Sequence, residues 1–164
     1  MGRSRPPAHA PLPHFLPFAD DPIVFLTTCV AKRRHLLAQT ESHVILHDIW
    51  EKSAAMNGWF VGRYLLMPDH VHFFAARAPT ARPLADWMRL WKSISAARIN
   101  RTQQRTGPFW QADYFDRFIR SRADYEEKLA YVALNPVRIG LVDKPAAWPF
   151  GGVIHDLRHH ASRG

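Results

Sequence analysis

Two β-prone runs, 59–66 and 70–76, are separated only by Met67-Pro68-Asp69, a turn signal. So short a connection makes the two strands neighbours and antiparallel, because a parallel pair needs a crossover of a dozen or more residues. The two runs therefore read as a hairpin. Around it the pattern alternates. The run 22–30, with Ile23, Val24, Phe25, Leu26, Thr27 and Thr28, reads as a first strand. Residues 40–57 carry apolar positions at helical spacing (Val44, Ile45, Ile49, Ala55), with Ser42 as a candidate cap and Asn57-Gly58 as the stop. A second helix is expected over 83–102, where Leu84, Trp87, Met88, Trp91 and Ile94 form a stripe. The aromatic segment 109–120 reads as a fourth strand with an irregular approach. Ser121 with Asp124 three residues on resembles a helix start, and the helix expected over 123–135 is stopped by Pro136.

The order β-α-β-β-α-β-α predicts an α+β, ferredoxin-like sandwich: one antiparallel sheet, helices on one face, and an additional C-terminal helix. Residues 1–20 are interrupted by Pro6, Pro7, Pro11, Pro13 and Pro17 and are expected to form an irregular arm. A single domain over 21–152 follows, then a flexible tail over 153–164 that includes His155, His159 and His160.

His70 and His72 close the hairpin. In a strand they point to one face, while Val71 and Phe73 point to the other, into the core. Two imidazoles so placed form half of a metal site. By spacing alone, two histidines on a solvated sheet face is an equally good reading, since His-x-His is a weak pattern.

The chain carries a net charge of +8, which calls for a polyanionic partner. Between positions 77 and 105, Arg77, Arg82, Arg89, Lys92, Arg98, Arg101 and Arg105 face one acid, Asp86. Arg98, Arg101 and Arg105 recur on one helical face. With Lys92 they are the expected nucleic-acid backbone contacts, and Arg120, beside the fourth strand, is a further one. The two stripe tryptophans, and Trp110, are expected to pack. No apolar run reaches the ~20 residues that span a bilayer. A lone cysteine, Cys29, suits a reducing compartment, so a cytoplasmic, nucleoid-associated protein with no membrane partner is expected. The sequence has no Gly-rich phosphate loop, paired-cysteine zinc pattern or nucleophile-elbow serine.

On the last helix, Tyr125, Leu129 and Val132 form a core stripe, and Tyr131 and Asn135, four apart, fall on a different face. Met67-Pro68-Asp69-His70-Val71-His72, followed by the stretch from Tyr131 through Asn135-Pro136-Val137-Arg138 to Val142, resembles the HUH single-tyrosine transposases. Within them it is most similar to the REP-associated tyrosine transposases. The resemblance runs from about 22 to 150 in matching order and takes in Trp110-Gln111 and Asp113-Tyr114.

That resemblance implies a function. His70 and His72 would bind a divalent metal, Mg²⁺ or Mn²⁺, and Tyr131 would be the nucleophile. Asn135 would stand as third metal ligand where the mobile relatives carry a Gln. The substrate would be single-stranded or hairpin DNA, cut and rejoined through a 5′-phosphotyrosine, by a monomer or a homodimer. The main alternative is a regulatory protein that binds hairpin DNA with little or no cleavage. An RNA-binding module and a nuclease using a metal-bound water are weaker ones.

Overall fold

The computed structural model describes residues 23–157. The arm expected over 1–20 and the end of the tail, with His159 and His160, lie outside them.

Strand β1 (Val24–Cys29) leads through a single 3₁₀ turn (Ala31–Arg33) to helix α1 (Thr40–Asn57). Strands β2 (Trp59–Leu66) and β3 (His70–Arg77) form the hairpin, and helix α2 (Leu84–Thr102) precedes strand β4 (Phe115–Phe118). Helix α3 (Arg122–Ala133), the short helix α4 (Asn135–Arg138) and strand β5 (Gly151–Val153) complete the fold. The sheet order is β4-β1-β3-β2-β5, every pairing antiparallel. Its first four strands have the ferredoxin-like arrangement expected from the element order.

Alternation divides the sheet into two faces. Val24, Leu26, Val61, Val71, Phe73 and Ala75 point towards α1 and α2 and form one core with Trp50, Trp87 and Trp91. Phe25, Leu65, Phe74 and Ala76 point the other way, where Val132 of α3 and Leu157 cover them. Two indoles in the first core donate N–H bonds to buried serines: Trp87 to Ser53 at 3.1 Å, Trp110 to Ser95 at 2.9 Å. Trp110 packs, as expected.

Several details differ from the sequence reading. Helix α1 begins at Thr40 with Gln39 at its cap position; Ser42 lies within the first turn, buried, and bonds the carbonyl of Leu36. Val44 is exposed because Leu46 and Trp50 take the core-facing positions beside Ile45 and Ile49. On α2, Ile94 is likewise turned outward and Ser95 and Ile99 continue the stripe.

The fourth strand is only four residues long. Before it, the carbonyls of Gln111 and Ala112 accept from Lys92 Nζ (2.7 and 3.0 Å) instead of joining the ladder. Pro136 does not end the last helix: Leu134 caps α3 and Pro136 sits in the first turn of α4, where its missing N–H costs nothing. Ser121 caps α3 as read, accepting from Asp124 N at 3.0 Å.

A fifth strand was not legible. Gly151 and Gly152 have poor strand propensity, yet they pair with Leu65 and Tyr64 on the outer edge of β2. A Cβ on Gly152 would stand 2.9 Å from Tyr64 Oη, so the close approach selects glycine. The expected tail from 153 thus begins inside β5, and the packed chain continues to buried Leu157.

Candidate active site

The turn between β2 and β3 is tied down from three sides. Met67 N–H donates to the His70 carbonyl at 2.8 Å, Val30 N–H to Asp69 O at 2.8 Å, and Leu37 N–H to Pro68 O at 3.0 Å. His70 thereby lies opposite Cys29 and His72 opposite Thr27 in the β1–β3 register. Both histidines lie on the α3 side of the sheet, where His72 stacks on Phe25 with ring centroids 5.4 Å apart.

The two imidazoles converge, with Nε2 of His70 3.1 Å from Nε2 of His72. Each is held from behind at Nδ1. Asp69 Oδ1 lies 2.7 Å from His70 Nδ1, and Thr27 Oγ1 lies 2.7 Å from His72 Nδ1. An ionised carboxylate only accepts, so His70 carries its proton on Nδ1 and its Nε2 lone pair faces His72. The Thr27 hydroxyl can donate or accept and so serves either tautomer of His72.

The electrostatics favour neutral rings. Burial is the main reason His72 is lowered to about 3, with the charges of His70, Lys128, Arg138 and Arg33 acting in the same direction. Burial also lowers His70, partly offset by Asp69. At Asp69 burial alone would raise the carboxyl, but His70 and Arg33 outweigh it and hold it below the usual range. Two neutral imidazoles with convergent nitrogens and oriented rear atoms could hold a divalent cation, and they suit Mn²⁺ better than Mg²⁺, which prefers oxygen ligands. Among the described residues no group of three or more His, Cys, Asp or Glu side chains is placed to hold a metal.

Helix α3 lies over this face. The Tyr125 ring meets Phe74 edge-on at 5.2 Å, and Val132 is buried, as the core stripe predicts. Tyr131 is turned outward and is 51 % exposed. Two cations lie over its ring, Lys128 Nζ at 5.2 Å and the Arg138 guanidinium carbon at 4.0 Å from the centroid. Arg138 also donates to the Tyr131 carbonyl at 2.9 Å, which folds α4 back against α3. Lys128 Nζ lies 5.4 Å from the Phe25 ring, and Phe25 is the ring stacked on His72. Tyrosine and histidines thus share one neighbourhood through Lys128 and Phe25. Asn135, half-buried, is the first residue of α4.

The basic residues read from the sequence fall elsewhere. Lys92, Arg98, Arg101 and Arg105 are on α2 or just past its end, behind the sheet from the histidines. Lys92 is engaged by two loop carbonyls and Arg98 by Asp48 at 2.7 Å. Arg120 is exposed at the β4–α3 corner, its backbone N–H held by Asp124. A cavity of about 430 Å³ between α2 and residues 108–114, lined by Arg89, Lys92 and Tyr114 among others, is also remote from the histidines.

The cations that surround the histidines are Arg33, Lys128 and Arg138, and the charge count along the sequence did not single them out. Their sequence signals were slight: Lys128 stands one helical turn before Tyr131, and Arg138 follows Asn135-Pro136-Val137. No described helix is long and apolar enough to cross a membrane.

Known proteins resemble this chain in sequence and in fold. The family described as transposase, IS200-like, matches residues 23–133. A REP-associated tyrosine transposase of Escherichia coli (strain K12) is 25 % identical over 137 residues, covering 81 % of this chain and 77 % of that protein. Among solved structures, a REP-associated tyrosine transposase bound to a REP hairpin superposes with a TM-score of 0.66 at 18 % identity, covering 93 % of this chain and 97 % of that one.

Proposed function

The chain belongs to the IS200-like transposase family, and from that premise we propose that it cuts and rejoins single-stranded or hairpin DNA through Tyr131. The observation that carries the reading is the convergence of His70 and His72 at Nε2 on the sheet face that α3 covers. The hairpin substrate is supported by the likeness to a relative whose structure holds one.

His70 and His72 would hold a divalent cation, Mg²⁺ or Mn²⁺, with Asn135 as a third ligand. Such an ion, when bound, polarises the phosphate under attack and offsets its negative charge. The remaining roles belong to the protein. Asp69 and Thr27 fix the imidazole orientations. Arg138 holds the tyrosine's backbone and stacks on its ring. The Tyr131 oxygen attacks the phosphorus, and the bond from phosphorus to the 3′ oxygen breaks. The fragment downstream of the cut then remains joined to the tyrosine through its 5′ phosphate, and the upstream fragment ends in a 3′-hydroxyl. The phenolic proton passes to solvent and the departing 3′ oxygen takes one up. Because a phosphodiester is exchanged for a phosphotyrosyl ester of similar kind, a later 3′-hydroxyl can reverse the step and join a new strand without ATP.

The test is incubation with hairpin oligonucleotides bearing a single-stranded 5′ extension, in Mn²⁺ or Mg²⁺. A covalent adduct on the 5′-phosphate side is expected from the wild type and none from Tyr131→Phe. Binding without any adduct across varied hairpins would leave a hairpin-binding regulator as the function.

A further inference from the structure

The turn after β1 is built in an unfavourable conformation. Lys32 and Arg33 both have left-handed backbones, with φ of 56° and 54°. Side-chain-bearing residues seldom adopt this region, and it recurs where surrounding structure holds a functional group in place. Here the surroundings are explicit: Ala31 N–H donates to Phe109 O at 2.8 Å and Arg33 N–H to Val30 O at 2.9 Å. The consequence is a side-chain placement. Arg33 swings across to the β2–β3 turn, where its Nε donates to Asp69 Oδ2 at 2.9 Å and one terminal nitrogen meets Cys29 Sγ at 2.7 Å. The side chain stays 53 % exposed, and no described residue occupies the other terminal nitrogen. Lys32 and Arg34, on either side, are exposed too.

Asp69 is therefore shared. One oxygen orients His70 and the other orients an exposed guanidinium whose outer edge has the geometry to take two phosphate oxygens. We propose that Arg33 binds a DNA phosphate beside the His70–His72 pair, and that Asp69 is the positioning residue that holds this arginine and His70 in one register. This inference rests on the DNA-cleaving reading above. It moves the expected phosphate contact from the back of the sheet to the site face, where Lys128 and Arg138 also gather.

The separation of roles makes it testable. Asn at position 69 can still accept from His70 through its carbonyl, but its amide would face Arg33 Nε–H donor to donor. Affinity for a hairpin oligonucleotide with a 5′ extension is measured in EDTA at several salt concentrations, and Mn²⁺ affinity is measured without DNA. Arg33→Ala is expected to weaken DNA binding roughly tenfold, with the log–log salt slope falling by about 0.7, the value of one single-strand phosphate contact. Its Mn²⁺ affinity does not fall, since both histidines remain and a cation beside them is removed, which also shows that the fold is intact. Asp69→Asn loses as much DNA affinity while keeping most Mn²⁺ binding, and Asp69→Ala loses about 10–100-fold in Mn²⁺ affinity as well. The double variant Arg33→Ala/Asp69→Asn binds DNA no worse than Arg33→Ala alone. Wild-type DNA affinity and salt slope in Arg33→Ala, or fully additive losses in the double variant, would overturn the proposal. A wild type with no affinity for the strand would instead defeat the DNA reading itself, a separable result.

Discussion

His70 and His72 bring their Nε2 atoms to 3.1 Å while each Nδ1 is engaged from behind, by Asp69 and by Thr27. A pair held this way could share the cation proposed above. Thr27→Val keeps a β-branched residue of nearly the same shape in β1 and removes only the hydroxyl. Mn²⁺ affinity is expected to fall about 10–100-fold with secondary structure unchanged, as read by calorimetric titration and circular dichroism. Undiminished affinity would mean that the hydroxyl does not orient His72.

Tyr131 is half-exposed, with Lys128 and Arg138 over its ring. Tyr131→Phe should therefore change stability by no more than about 0.5 kcal/mol and leave hairpin affinity intact. Denaturant unfolding and an electrophoretic shift check both, in parallel with loss of the covalent adduct.

Buried His72 makes the metal-free protein sensitive to mild acid. In the unfolded chain a histidine takes up its proton near ~6.5, whereas in the fold His72 resists until about 3. Below the unfolded value the unfolded state binds more protons, so stability is present at neutral pH and is lost as pH falls. The loss is on the order of 1.4 kcal/mol per pH unit between roughly 6.5 and 5, before carboxylates dominate. Urea unfolding in EDTA across that window should show the slope, and His72→Gln should flatten it. Equal slopes in both proteins would show that another group governs the window.

Ser95 gives a purely structural test. Its hydroxyl accepts the buried indole N–H of Trp110, so Ser95→Ala strands that donor and should cost about 1–3 kcal/mol. DNA affinity, measured well below the new melting point, should not change, because this serine is on the side of the sheet opposite the histidines.

The two basic surfaces can be told apart by single substitutions. Lys128→Ala should weaken hairpin binding more than Arg101→Ala, since Lys128 lies between Phe25 and Tyr131 whereas Arg101 is near the end of α2 behind the sheet. The opposite ranking would return the DNA path to α2.

Local patterns determined much of this protein from sequence alone. The short Met67-Pro68-Asp69 turn dictates an antiparallel hairpin, period-two alternation puts His70 and His72 on one face, and helical spacing buries Val132 while turning Tyr131 outward. These follow from the backbone's own repeat and need no knowledge of distant neighbours. The charge pattern on α2 was equally visible, but a periodicity says which residues share a face and not which layer that face belongs to. Only the tertiary structure decided that α2 lies behind the sheet, that the Gly151-Gly152 segment completes an edge against Tyr64, and that Arg33, Lys128 and Arg138 assemble around the histidines from three separate elements. Asp69 joins His70 to Arg33, thirty-six positions away in sequence. Such a contact has no sequence period, since it exists only after the β1 turn and the hairpin turn have been packed side by side.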